Sequence, residues 1–314
     1  MSRPIVAFAK GSWLVPAAKA LVAEHAETVD EDRVGEAFGL YCDSFCPPRI
    51  DASYLDRAPH LRVLCSATVG YDNIDLAECT RRGIAVSNSR GSLTEAVADV
   101  AYLLIIAAFR HVGEGTRWAR EGRWTGGPAP VGDDVAGNTL GIVGLGAIGM
   151  AVAKRARASG MNVIYHNRTR RPDDGALEAR YVPFDELLTS ADCIVVLIPL
   201  NAETRGMFGA AQLAAMRSSS YFVNASRGAI VDTTALYDAL VSKKIAGAAL
   251  DVTDPEPLPA DHPLFSLPNV FITPHIGTAT RQTRERMSLY AAHNLVAGIA
   301  GTPLPQIVNP AVYG

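Results

Sequence analysis

No run of apolar residues in the sequence is long enough to cross a bilayer. The longest unbroken run of hydrophobic residues, 100–109, lies between Asp99 and Arg110 and is about half of the roughly 20 residues a spanning helix needs. The opening residues lack the apolar region of a secretory signal and read instead as a first short strand. Basic residues are not in excess: 29 Lys and Arg stand against 32 Asp and Glu, a net charge of −3. Proteins that hold nucleic acid or anionic lipid carry clustered positive charge, so neither partner is expected. Cysteine is scarce and odd in number, five in 314 residues, which gives no disulfide framework. Cys42 and Cys46 have C-x-x-x-C spacing, but no nearby Cys or His pair completes a zinc site. The thiols therefore read as idle groups in a reducing cytoplasm, and no metal is expected. What is present is apolar: 48% hydrophobic residues and only 19% charged ones describe a packed globular chain, of a length that suits one large or two medium domains.

Short apolar runs alternate with helical stretches. Strands are predicted at 5–8, 39–41, 61–65 and 84–86, and helices at 17–25 and 54–57. A second series predicts strands at 140–143, 162–166, 191–197, 221–224, 246–251 and 270–273. Its helices are predicted at 148–159, 184–189, 210–216, 233–242 and 281–300. Between the two series, Ser92-Leu-Thr-Glu95 reads as a capping box that opens a long helix continuing through 101–110. The segment 126–137, rich in Gly, Pro and Asp, reads as a loop. Alternation of this kind predicts an α/β fold with parallel sheets, and continuous apolar strands such as Cys193-Ile-Val-Val-Leu-Ile198 fit a sheet covered on both faces.

The pattern G-x-G-x-x-G occurs at Gly144, Gly146 and Gly149, after an apolar strand and at the start of a helix. That context makes it a dinucleotide-binding turn. Gly144 permits the tight turn, Gly146 lets backbone approach a pyrophosphate, and Gly149 lets the helix pack on the strand. The helix N-terminus at Ala147, Ile148 and Gly149 then holds the phosphate charge. The next strand ends where an Asp or Glu would bind the ribose 2′-hydroxyl of NAD. Here the chain has Asn167, followed by Arg168 and Thr169, with Arg170 and Arg171 nearby. A missing carboxylate removes repulsion of a 2′-phosphate and arginine can pair with one, so NADP(H) is expected to be preferred and NAD(H) possible.

From here the sequence resembles the D-isomer-specific 2-hydroxyacid dehydrogenase family. The resemblance runs over most of the chain and is densest from Gly141 onward. It rests on Gly144-Leu-Gly-Ala-Ile-Gly149, Asn224-Ala-Ser-Arg-Gly228, Leu250-Asp-Val-Thr-Asp-Pro-Glu-Pro-Leu-Pro259 and Thr273-Pro-His-Ile-Gly-Thr-Ala-Thr280, four motifs in the family's order. Within it, the stretches around His262 and Met287 are most similar to glyoxylate/hydroxypyruvate reductases. The resemblance implies a catalytic trio of Arg227, Glu256 and His275. A guanidinium suits a planar 2-oxo acid, binding its carboxylate and polarising its ketone. His275 would pass a proton to the ketone oxygen as hydride arrives at carbon, and Glu256 would hold the imidazole oriented and favour its charged form. The family also implies amide donors to the substrate carboxylate at Val69 and Gly70. It implies cofactor contacts at Thr94, Pro199, Thr204, Ala225, Ser226, Asp251 and Gly277, Asp251 serving the nicotinamide carboxamide.

The resemblance further implies two Rossmann-like/flavodoxin-like domains with parallel sheets and a cleft between them. A substrate domain would cover 1–94, with 284–314 returning to it, and an NAD(P)-binding Rossmann domain 95–283. It implies a homodimer, with the long helix after Ser92 as a candidate interface. Two departures stand out. Ala147 sits where the family frequently has Arg, and Arg90 where proline is frequent, so the role of Arg90 stays open. The expected function is NADPH-dependent reduction of glyoxylate or hydroxypyruvate to the 2-hydroxy acid. A broader 2-oxo-acid or 2-ketogluconate reductase is the nearest alternative, and a dinucleotide-sensing protein like the corepressors of this fold is the alternative from another class.

Overall fold

The chain is described here by a computed structural model covering residues 3–47, 49–173 and 178–314. It divides into two compact units, Met1–Leu93 with Ala279–Gly314, and Thr94–Thr278. The first unit is a five-stranded sheet of β1 (Ile5–Phe8), β2 (Glu27–Asp30), β3 (Gly39–Cys42), β4 (Val63–Ser66) and β5 (Ala85–Ser87). All pairs are parallel and the spatial order is β2-β1-β3-β4-β5, the flavodoxin-like arrangement. Helices α1 (Pro16–His25), α2 (Ala52–Asp56) and α3 (Leu76–Arg81) belong to it, together with the returning C-terminal helix, α10 (Arg281–Ile299). Strands β3, β4 and β5 are buried on both faces. In β3, Leu40 and Cys42 enter one core with Tyr54 and Leu55 of α2, while Tyr41 enters the other with Ala291 and Leu295 of α10. The Tyr41 hydroxyl donates to Ser288 Oγ at 3.0 Å, which satisfies the polar end of a buried ring.

The second unit holds α4 (Thr94–Phe109) and α5 (Val112–Arg120), then a seven-stranded parallel sheet. In chain order it runs β6 (Thr139–Val143), α6 (Ala147–Ala158), β7 (Asn162–His166), β8 (Ala179–Tyr181), α7 (Phe184–Ser190), β9 (Cys193–Val196), α8 (Ala210–Ala215), β10 (Tyr221–Asn224), α9 (Thr233–Val241), β11 (Gly247–Leu250) and β12 (Val270–Ile272). The spatial order is β12-β11-β10-β9-β6-β7-β8. The chain therefore reverses direction across the sheet between β6 and β9, and ligands of such sheets bind beyond the carboxyl ends of the strands at that point. Period-two alternation again divides the core. Cys193 and Val195 pack with α4 and α6 on one face, and Ile194 and Val196 pack with α7, α8 and α9 on the other.

Strand and helix positions follow the sequence reading closely, with definite departures. The edge strands β2 and β8 and the helices α3 and α5 were not foreseen. The capping box at Ser92 does not form: the Ser92 hydroxyl donates to Ser89 O at 2.7 Å, and α4 starts at Thr94. The first break between units follows Leu93 rather than residue 94. The second precedes Ala279 rather than 284, because residue 284 lies inside α10, whose N-cap Thr280 accepts from the Thr283 amide.

Candidate active site

Strand β6 is followed by Gly144, whose φ of +105° is left-handed backbone that a side chain resists, and a Cβ there would lie 2.8 Å from the Leu197 carbonyl carbon. A Cβ on Gly149 would meet Gly144 O at 2.3 Å, so α6 packs directly on the turn. Gly146 faces open space and is the N-cap of α6, with no side chain capping it. Uncapped amides and the positive end of a twelve-residue helix therefore border free volume, which is what a diphosphate requires. The turn fits a dinucleotide.

Beyond β7, the Asn167 carboxamide reaches back to the turn, its Oδ1 accepting from Leu145 N at 2.7 Å. Arg171 is committed locally, with two 2.7 Å hydrogen bonds to Asp173 that push its guanidinium further up and a contact to Leu145 O. Arg168 is 86% exposed and its ion partner is Glu203 at 3.3 Å. Thr169 is exposed beside it. Pro199 and Thr204 form a turn after β9, the Thr204 hydroxyl donating to Pro199 O at 2.7 Å and its amide to Asn201 Oδ1. Thr94 opens α4, half-buried.

Three strand ends then lie side by side. Asp251 N donates to Asn224 O at 2.9 Å, and His275 N donates to Asp251 O at 2.9 Å. Arg227 follows β10, half-buried, with its guanidinium donating to Ser226 O. Ala225 and Ser226 make the same turn. Glu256 follows β11, and its Oε1 lies 2.5 Å from His275 Nδ1. That contact puts the neutral ring's proton on Nδ1.

His275 has a φ of +51°, a backbone state that disfavours side chains and that structures retain where the surroundings impose it. Asp251 imposes it. The carboxylate is 3% exposed, and it accepts from Thr273 Oγ1 at 2.6 Å, Ile276 N at 2.8 Å and Gly277 N at 2.9 Å. Three of its four lone-pair directions thus bind the loop that carries His275. Sequence reasoning named Asp251 and Gly277 only as cofactor contacts and missed this clamp, along with Asn224 and the close packing of Gly228. The local signal for Asn224 is an Asn two residues before a Ser at a strand end, which is an Asx-turn pattern.

In the first unit, the loop after β4 holds Val69 and Gly70. Their carbonyls accept from Asn88 Nδ2 at 2.8 Å and Thr68 Oγ1 at 3.0 Å, while neither amide has an acceptor among the described residues. Among the described residues no cluster of His, Cys, Asp or Glu could hold a metal ion, and no single helix is long and apolar enough to cross a membrane.

Residues 102–277 match the D-isomer specific 2-hydroxyacid dehydrogenase family, NAD binding domain. The chain is 46% identical over 267 residues to a glyoxylate reductase of Korarchaeum cryptofilum, covering 84% of this chain and 80% of that one. It is 43% identical over 269 residues to glyoxylate/hydroxypyruvate reductase B of Citrobacter koseri, covering 84% and 83%. Among solved structures, the NADPH-dependent glyoxylate/hydroxypyruvate reductase of Sinorhizobium meliloti in complex with NADP and malonate superposes with a TM-score of 0.90 at 32% identity, over 99% of this chain and 98% of that one.

Proposed function

The chain belongs to the D-isomer-specific 2-hydroxyacid dehydrogenase family, and on that premise we propose that it reduces glyoxylate or hydroxypyruvate to the 2-hydroxy acid with NADPH. The observation that carries the reading is the Glu256–His275 pair, held at the carboxyl ends of β11 and β12. When bound, the reduced nicotinamide supplies a hydride to the carbonyl carbon. The rest of the chemistry belongs to this chain. Arg227 binds the 2-oxo acid's carboxylate and draws electron density from its ketone. His275 Nε2–H gives its proton to the ketone oxygen, so the alkoxide never forms free, and Glu256 balances the imidazolium before transfer. Oxidation runs the same steps backward. The amides of Val69 and Gly70 are proposed as further donors to carboxylate oxygen.

The cofactor is assigned to the turn of Gly144, Gly146, Ala147, Ile148 and Gly149, with Thr94, Pro199, Thr204, Ala225, Ser226, Asp251 and Gly277 as its other contacts. The preference for NADPH is supported by the amide of Asn167 where a carboxylate would repel a 2′-phosphate, and by the exposed guanidinium of Arg168. Initial rates with glyoxylate, hydroxypyruvate, pyruvate and 2-ketogluconate, each with NADPH and NADH, test both parts. Highest kcat/KM for the two small acids with NADPH supports the reading. Turnover confined to 2-ketogluconate, or a tenfold preference for NADH, overturns it. Self-association is proposed through the region of α4 and α5. Leu103, Val112, Trp124 (74% exposed) and Val131 (86% exposed) present apolar surface there, and α5 buries no residue of its own. Light scattering reads it as a particle of twice the chain mass. The free thiols of all five cysteines support a reducing compartment.

A further inference from the structure

Asn224 is the last residue of β10 and is 1% exposed. A buried carboxamide is costly unless its polar atoms are paired, and among the described residues the side-chain partners of this one lie in the turn that follows. Its Oδ1 accepts from Ser226 N at 3.1 Å and Ser226 Oγ at 2.9 Å, and its Nδ2 donates to Arg227 O at 2.9 Å. The turn is fixed from the other side as well. A Cβ on Gly228 would fall 1.9 Å from Thr253 O and 2.6 Å from Asp254 N, so the peptide after Arg227 lies flat against the backbone that leads to Glu256. Thr233 Oγ1 donates to Asp254 O at 2.7 Å and holds that second backbone in place.

We infer that Asn224 is a positioning residue for Arg227: its carboxamide sets the turn from which the guanidinium departs, and with Gly228 it registers Arg227 against the Glu256 loop. The inference rests on the proposed role of Arg227. It requires asparagine specifically, because both faces of the amide are used. Aspartate is isosteric and keeps the acceptor toward Ser226, but it turns an oxygen toward Arg227 O in place of the donor. A serine is too short to span both contacts.

The experiment is a double-mutant cycle of N224D and R227Q, read as kcat and KM for glyoxylate with NADPH, with thermal unfolding as a control for folding. R227Q is expected to lose at least 100-fold in kcat/KM. N224D is expected to lose roughly 10- to 100-fold, as small misplacements of a substrate-binding group do. The double variant is expected to match R227Q within about threefold, since a residue that acts only through Arg227 has nothing left to position. N224D within threefold of the wild type overturns the inference, as does a double variant in which the two losses multiply. R227Q retaining activity within tenfold overturns the proposed role of Arg227 instead, and that outcome is visible before the cycle is closed. If N224D does not fold, N224S carries the same cycle with the same criteria.

Discussion

Replacing Asp251 with Asn changes one atom of a buried side chain and removes one of the three hydrogen bonds by which it holds the loop of the proposed acid. The carboxylate accepts from Thr273 Oγ1, Ile276 N and Gly277 N through both of its oxygens. A carboxamide has one oxygen. If that oxygen stays with Thr273 and Ile276, the new NH2 faces the Gly277 amide, and a buried donor is left without an acceptor at a cost of about 1–3 kcal/mol. The two surviving bonds lose their charge assistance, about 1 kcal/mol between them. The total, on the order of 3 kcal/mol, is as large as the roughly 1–3 kcal/mol by which a left-handed residue other than glycine is disfavoured. The clamp then no longer outweighs the strain at His275, whose φ is +51°. At 1.36 kcal/mol per decade, kcat/KM for glyoxylate in D251N should fall about 100-fold. The assay is the loss of nicotinamide absorbance at saturating NADPH, beside a thermal melt showing that the variant is folded. A folded D251N that keeps more than a third of wild-type kcat/KM would refute the reasoning, since it would mean that the loop holds its shape without the carboxylate.

H275A should lower the rate of reduction by about 10²–10⁴-fold and E256Q by a smaller factor, with NADPH binding followed by nicotinamide fluorescence unchanged in both; unaltered turnover in H275A rejects the assignment. Burial pushes the Cys65 and Cys79 thiols up to about 12, against about 8.5 for a free thiol. The thiolate is the nucleophile, so at pH 8 both should resist alkylation in the native protein and react once urea exposes them, as peptide mapping by mass spectrometry would report. Y221F tests the base of the segment that carries α5. The Tyr221 hydroxyl donates to Asp133 Oδ2 at 2.6 Å and lies 3.1 Å from His111 Nε2, joining the two ends of that segment at one strand. Losing a charge-assisted bond of about 1.5–3 kcal/mol should lower Tm by roughly 5 °C, and a melt superimposable on the wild type would count against the clasp.

How much of this was legible in the sequence follows from where each interaction lies along the chain. Central strands announced themselves as unbroken apolar runs because both their faces are covered, as in Cys193–Val196. The missed strands are the short edge strands: Glu27–Asp30 and Ala179–Tyr181 pair on one side only and carry charged residues, so no apolar run marks them. Helix α5 was hidden for a related reason, since it buries none of its residues and contains Gly113 and Gly115. Ser92 misled because a serine hydroxyl has more than one local option, and the Ser89 carbonyl was the nearer partner.

The same distinction separates the parts of the candidate site. Arg227, Glu256 and His275 stand in motifs and could be named from them. Asn224 finds its partners within three residues, so its turn was readable in principle. Asp251 was not readable in this way. Its partners Thr273, Ile276 and Gly277 lie 22 to 26 residues further on and reach it only because β11 pairs with β12 in one register, Leu250 opposite Ile272. A slip of one residue in that pairing would carry the loop's amides away from the carboxylate and leave His275 in a strained conformation with nothing to hold it. The sheet's register is therefore part of the proposed catalytic apparatus, and the motifs carry their chemistry only through it.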